Sequence, residues 1–193
     1  MNPMHVPIPW YESAYWSSFW GQFWVGTIGG IFSAFLFLLI VLYVFKPAIN
    51  IAPFLCKVGS QTQSYYIFKF VNKSYFAAHE IEVRLYKIRK IPMGSGRYNN
   101  EHEPLTIKNG DISHIPERPF WWWQRRIDHP YCVIVRSFDN LNEILADDMN
   151  AILLRVSLKH GLTGLSAVVE QEYGNVGDIR MGKFKPGPIF DNI

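Results

Sequence analysis

Lysine and arginine are absent from the first 45 residues, where Glu12 is the sole acid, so all nineteen basic residues of this 193-residue chain lie at or beyond Lys46. Cysteine is almost absent too. Cys56 and Cys132 allow one disulfide at most, which excludes a disulfide-stapled scaffold, and a reducing cytosol would leave both as buried thiols. The six histidines show no HxxxH or HxH spacing and no CxxC accompanies them, so Glu101, His102, Glu103, His114, Asp128 and His129 read as loop and surface residues, with no metal and no cofactor implied. Neither a GxxxxGK[ST] frame nor a nucleophile elbow is present, and "HGLTG" (His160 to Gly164) reads as a hairpin turn, so no enzyme is expected. A net charge of only +3 gives no signature of nucleic-acid duplex binding. Internal repeats and low-complexity tracts are missing as well.

What is present begins with "WVGTIGGIFSAFLFLLIVLYVFK", Trp24 to Lys46, in which 22 uncharged residues precede the first charge. As a helix they extend about 33 Å, enough to cross a hydrocarbon core of about 30 Å, and a soluble core helix rarely stays uncharged on every face for this length. A cleaved signal peptide fits poorly: the run is too long, no basic start precedes it and no small-residue cleavage pattern follows. Lys46 and Lys57 follow the run while nothing basic precedes it, so the positive-inside rule predicts the N-terminus outside a cell (inner) membrane and the C-terminal domain in the cytoplasm.

Before the run, "PWYESAYWSSFWGQFW" places Trp10, Trp16, Trp20 and Trp24 among other aromatics at steps of one, three and four, as an interfacial belt or short amphipathic helix does. Packing against a partner chain is the alternative. Tyr43 anchors the other end. Gly26, Gly30 and Ala34 recur every fourth residue, a small-residue face that lets helices approach closely and predicts homo-oligomerisation. The organisation read from the sequence is therefore 1–23 aromatic interfacial segment, 24–46 transmembrane helix and 47–193 cytoplasmic domain.

Beyond Pro47 the apolar period changes to two. "AHEIEVRL" puts His79, Ile81, Val83 and Leu85 on one face and Glu80, Glu82, Arg84 and Tyr86 on the other. "AINIAPFL", "YYIFKFVN" (Tyr66, Phe68 and Phe70 inward), "YCVIVR", "AILLRVSL", "LSAVVEQEY" and "DIRMGKF" behave as further strands. Pro92 to Pro104, rich in Gly, Ser, Asn and charge, is expected to be a mobile loop. Only "FDNLNEILADDM" reads as a helix, with Ser137 or Asp139 as its cap and Leu141, Ile144 and Leu145 inward. Seven or eight short strands predict an all-β domain, an antiparallel sandwich or small barrel with one short helix. The order "FKFVNKS", "HEIEVRLYKI", "YGNVGDIRMGKF" resembles the cytoplasmic immunoglobulin-like domain of inward-rectifier potassium channels. The resemblance implies a β-sandwich; with no second membrane helix, pore helix or Thr-Val-Gly-type filter beside it, ion selection is not implied.

Basic residues cluster at Arg84, Lys87, Arg89 and Lys90, at Arg125 and Arg126, and at Arg180, Lys183 and Lys185. The first six are candidates for anionic lipid or a small anionic ligand, against the reading of a solvated strand face balanced by Glu80 and Glu82. "RPFWWWQRR" sets Trp121, Trp122 and Trp123 in a proline-bounded segment. They are either a membrane-docking loop or filling for the sandwich core or a subunit contact. The function expected is a membrane-anchored, non-enzymatic, oligomeric binding module whose β domain takes lipid, protein or a small anion. A membrane-disrupting effector of bacterial antiphage defence and an accessory subunit of a channel or complex are the alternatives.

Overall fold

The computed structural model describes residues 11–14, 19–44, 48–59, 64–94, 97–119, 129–161 and 163–193, which fall into two units, Met1–Val44 and Phe45–Ile193. The first is built on helix α1, Phe19–Val44. It starts five residues before the predicted Trp24, because Phe19 to Phe23 hold no charge or proline to stop it. Its best window has a mean hydropathy of 2.5, and it is long and apolar enough to span a membrane.

The second unit holds ten strands in two five-stranded sheets. The first sheet comprises β1 (Ile49–Ile51), β2 (Leu55–Gly59), β3 (Ser64–Asn72), β7 (Cys132–Ser137) and β10 (Ile179–Met181). β7 runs along one side of β3, and β2 followed by β1 along the other; β10 adds to β2 in parallel. The second sheet is organised by β4 (Ala78–Pro92), which pairs β8 (Asn150–His160) on one side and β5 (Tyr98–Leu105) then β6 (Asp111–Ile115) on the other, with β9 (Ser166–Tyr173) beyond β8. Tyr66, Phe68 and Phe70 of one sheet and Ile81, Val83, Leu85, Ile152, Leu154 and Val156 of the other form a single apolar cluster. The domain is thus a sandwich, as the two-residue periodicity predicts.

Three expectations are corrected. His79 does not share the inward face with Ile81, because Glu80 takes φ 48° and the pairing with β8 slips between His79 and Glu82. The extra residue of this bulge resets the alternation, so Ala78 points inward and His79 outward. Pro92 to Pro104 is not one loop: Tyr98–Leu105 pairs with β4 as β5. The short helix, α2 (Leu141–Leu145), has Asn140 rather than Ser137 or Asp139 at its N-cap position, and the Asn140 side chain makes no capping hydrogen bond. Asp139 instead accepts the Thr106 N–H at 2.7 Å. Leu141 and Leu145 are buried and Ile144 packs beside them, as expected.

β3 is buried on both faces. Its outward residue Ile67 lies with Ala52, Phe54 and Cys56 under Phe184 and Phe190 of the C-terminal hairpin, whose arms are joined by Lys183–Ile193 and Lys185–Asp191 backbone bonds. Lys69, 1% exposed, donates from Nζ to the Lys185 carbonyl at 2.7 Å and the Ile189 carbonyl at 2.8 Å. Burial holds its pKa below the usual lysine value. Cys56 and Cys132 flank β3 from β2 and β7, so two strand spacings, roughly 9–10 Å, separate them, beyond disulfide reach. Both are free, and burial pushes the Cys56 thiol up to about 11.

Candidate functional site

The register of the strands gathers several connections at one end of the sandwich. Ile49 lies opposite Asn72, Cys132 opposite Val71, and both Ile115 and His160 opposite Ala78. This is the inlet end, where the chain following α1 joins the domain: the Lys73 N–H donates to the Ala48 carbonyl at 2.7 Å. The same turn holds both roots of the segment that carries the tryptophans. The Arg118 N–H donates to the Ser74 carbonyl at 3.0 Å, and the Asn72 N–H to the Tyr131 carbonyl at 2.9 Å. Trp121, Trp122, Trp123, Arg125, Arg126 and Asp128 themselves lie outside the described residues, as do Trp10 and Trp16.

A buried polar knot stiffens this turn. Asn72 donates from Nδ2 to the carbonyls of Phe76 and Pro116, both at 3.0 Å, and accepts the Ser74 N–H at Oδ1. Ser74 Oγ accepts the Phe76 N–H and meets His160 Nε2 at 3.4 Å. On the other side of the imidazole, Nδ1 accepts the Thr163 N–H at 3.3 Å. An accepting Nδ1 requires the neutral ring with its proton on Nε2, which then donates to Ser74. Burial lowers the His160 pKa from its ordinary 6.5, which favours the neutral ring. The His160–Gly164 turn closes the β8–β9 hairpin, as expected.

The sign of the pH dependence follows. His160 binds its proton less readily folded than unfolded, so its full contribution to stability is present above pH 6.5 and is lost as pH falls toward the lowered folded value. Urea midpoints measured at pH 8 and pH 5.5 should drop for the native chain. The drop should be smaller for His160→Gln, whose amide cannot titrate.

The first basic cluster divides. Arg84 pairs with Glu82 and Lys87 with Glu103 at 3.1 Å, in a surface grid that also contains Arg155 with Glu170 and Lys159 with Glu80. Those cations are balanced, which supports the solvated-face reading for them. Arg89 and Lys90 sit further along β4, where the β8 pairing ends at Arg89 and only β5 continues to Pro92. There they join Arg97 and the exposed Ile91, Met93 and Tyr98 at the end of the second sheet opposite the inlet. The sequence reading missed Arg97, Met93 and Tyr98 because it treated them as loop. In the third group, Arg180 lies 3.7 Å from the centre of the Phe54 ring and Lys185 pairs with Asp191 at 3.6 Å.

On α1, Trp20 and Trp24 are linked through Phe23 by edge-to-face contacts, and Tyr43 is 85% exposed. Trp24 and Tyr43 are 19 residues apart, a rise of roughly 29 Å, which matches the spacing of aromatic belts across a hydrocarbon core. A Cβ added at Gly26, Gly29 or Gly30 would meet nothing within 4 Å, so the small face that includes Ala34 is open. Among the described residues no three His, Cys, Asp or Glu side chains are grouped to hold a metal ion.

No protein-family model and no curated protein matches the chain. Among solved structures, the X-ray structure of Northeast Structural Genomics Consortium target SoR45 is similar at 12% identity and a TM-score of 0.30, covering 68% of this chain and 87% of that one.

Proposed function

We propose that the chain is a single-pass membrane protein, N-terminus outside and β domain in the cytoplasm, that self-associates through Gly26, Gly30 and Ala34 and serves as a non-enzymatic binding module. In this reading the inlet end of the sandwich rests on lipid headgroups through Trp121 to Trp123, with Arg125 and Arg126 beside them. The observation that carries the docking is the shared root: Ala48, Arg118 and Tyr131 are all hydrogen-bonded to residues 72–74. Indoles at headgroup depth and arginines near anionic lipid are each favourable, about 1 kcal/mol per basic residue. The immunoglobulin-like kinship suggested by the channel resemblance belongs to the same proposal, supported by the all-β domain alone.

The test uses the chain's seven tryptophans. With Trp10, Trp16, Trp20 and Trp24 changed to Phe, the three in question are the only indoles left and emit alone under excitation too red for the ten tyrosines. In proteoliposomes with acyl-brominated lipid their emission should be quenched, and further Trp122→Ser/Trp123→Ser should remove most of the quenched signal. Emission indifferent to brominated lipid would place the three in the core or a subunit contact instead.

The open small-residue face of α1 favours a second reading, an effector whose associated helices breach the bilayer when the domain receives a signal. Dye leakage from the same proteoliposomes separates the two, since a docking module leaves them sealed.

A further inference from the structure

Between β5 and β6 the chain leaves the edge of the second sheet, touches the first and returns. Each step is fixed. The Thr106 N–H is held by the Asp139 carboxylate, the Lys108 N–H donates to the Arg136 carbonyl on β7 at 2.7 Å, and the Gly110 carbonyl accepts the Val83 N–H at 2.7 Å. Gly110 permits the close return, because a Cβ there would lie 2.7 Å from the Val83 oxygen and 2.9 Å from Ile107 Cγ2. Asn109, at φ 61°, makes the turn between the two contacts.

This crossover and β7 border an open surface cavity of about 270 Å³ lined by Lys108, Asn109, Ile134 and Arg136, all four exposed. Lys108 and Arg136 are directly paired across the bridge, so their side chains leave the same face. Neither has an ion pair among the described residues, in contrast to Arg84, Lys87, Arg155 and Lys159. Arg136 is oriented by the Tyr65 ring, 5.6 Å from its guanidinium carbon, an arrangement that leaves the planar fork of donors free at its edge. Of the acids near the crossover, Asp139 accepts from the Thr106 N–H and Asp111 lines a separate cavity with Glu80 and Glu82; among the described residues neither forms an ion pair with Lys108 or Arg136. Ile134, 47% exposed, adds an apolar patch to the wall.

We infer that this cavity is a binding site for a phosphate-bearing small molecule. Two unbalanced cations, one a guanidinium fork and one an ammonium, match a doubly charged tetrahedral oxyanion, and the Asn109 amide can add a donor. The volume equals about nine waters at roughly 30 Å³ each, enough for the phosphate and a sugar-sized body against Ile134. The backbone that carries the two cations is fixed by its hydrogen bonds, so the ordering that opposes binding is that of the side chains alone. The site stands whether or not α1 lies in a bilayer. It also replaces Arg84 and Lys87 as the place for the small anion expected from the sequence.

The full chain in detergent should show a saturable rise in thermal midpoint with inorganic phosphate and a larger one with ribose 5-phosphate, neither reproduced by acetate or by sodium chloride at matched ionic strength. Lys108→Gln, at an exposed position, should weaken phosphate at least tenfold, and Lys108→Gln/Arg136→Gln should abolish the shift. Arg155→Gln/Lys159→Gln, which removes two cations already balanced by Glu170 and Glu80, should leave it unchanged. A shift that survives the Lys108→Gln/Arg136→Gln change, is matched by acetate or chloride, or is lost equally in Arg155→Gln/Lys159→Gln overturns the assignment. Should the double variant fold poorly, the single Lys108→Gln titration decides alone.

Discussion

Phe68→Ala should lower the unfolding free energy of the domain by about 3–5 kcal/mol, among the largest losses available to a single substitution here. Phe68 is fully buried at the centre of β3, and its ring lies 5.8 Å from that of Tyr173 in a tilted contact. Tyr173 in turn donates its hydroxyl to the Ala52 carbonyl at 2.8 Å, so it cannot swing into the vacated space without giving up a buried hydrogen bond. The neighbours come from both sheets, and collapse around the cavity would have to move both backbones. The loss should therefore fall in the upper part of the usual range for large-to-small changes, which depends on how far a site can relax. Urea unfolding followed by the far-ultraviolet signal of the sheets measures it. Val168→Ala, at a position 58% exposed on β9, should stay within about 0.5 kcal/mol. An equal loss at both positions would contradict the core as described.

Phe32→Arg should weaken the partition of the chain into membranes by more than a hundredfold. On insertion scales an arginine at the middle of a spanning helix is unfavourable by about 2.5–3.5 kcal/mol, and the phenylalanine it replaces is favourable by a few tenths more. A difference near 3 kcal/mol shifts the partition by more than a hundredfold, since 1.4 kcal/mol is a factor of ten. Phe32 lies near the middle of the stretch between Trp24 and Tyr43, too far from either end for an arginine to reach the headgroups easily. Separation of membrane and soluble fractions after alkaline washing should show the native chain and Phe32→Leu in the pellet and a larger share of Phe32→Arg in the supernatant or degraded. A native chain released without detergent would remove the basis for a spanning α1.

Much of the architecture could be read from the residues because one face of each strand meets the core. Ile81, Val83 and Leu85 alternate with charged partners, and the uncharged run before Lys46 leaves a helix as the economical form. The readings that failed did so for identifiable reasons. β5 is wet on both faces, so it carries no alternation, and only the β4 partner reveals it. His79 fits a perfect two-residue repeat, and nothing local announces the bulge at Glu80. Lys69, flanked by Phe68 and Phe70, reads as the solvent side of a strand; its cover comes from residues 116 and 120 positions away. The anion cavity is distributed the same way, with one cation from a turn and the other from the edge of a different sheet. The tryptophan triplet was visible at once, whereas its shared root with the chain leaving α1 emerges only from the pairing of Asn72, Lys73 and Ser74.

The ammonium enclosed by the carbonyls of Lys185 and Ile189 also imposes a sequence of events in time. A growing chain emerges N-terminus first, so β3 is made long before the hairpin that covers it. Until that hairpin arrives, Lys69 can keep its own hydration shell, and the oily side of β3 stays open to passing water and chaperones. Closure of this surface thus waits on carbonyls made 116 and 120 residues after Lys69, which take the place of the water around its ammonium.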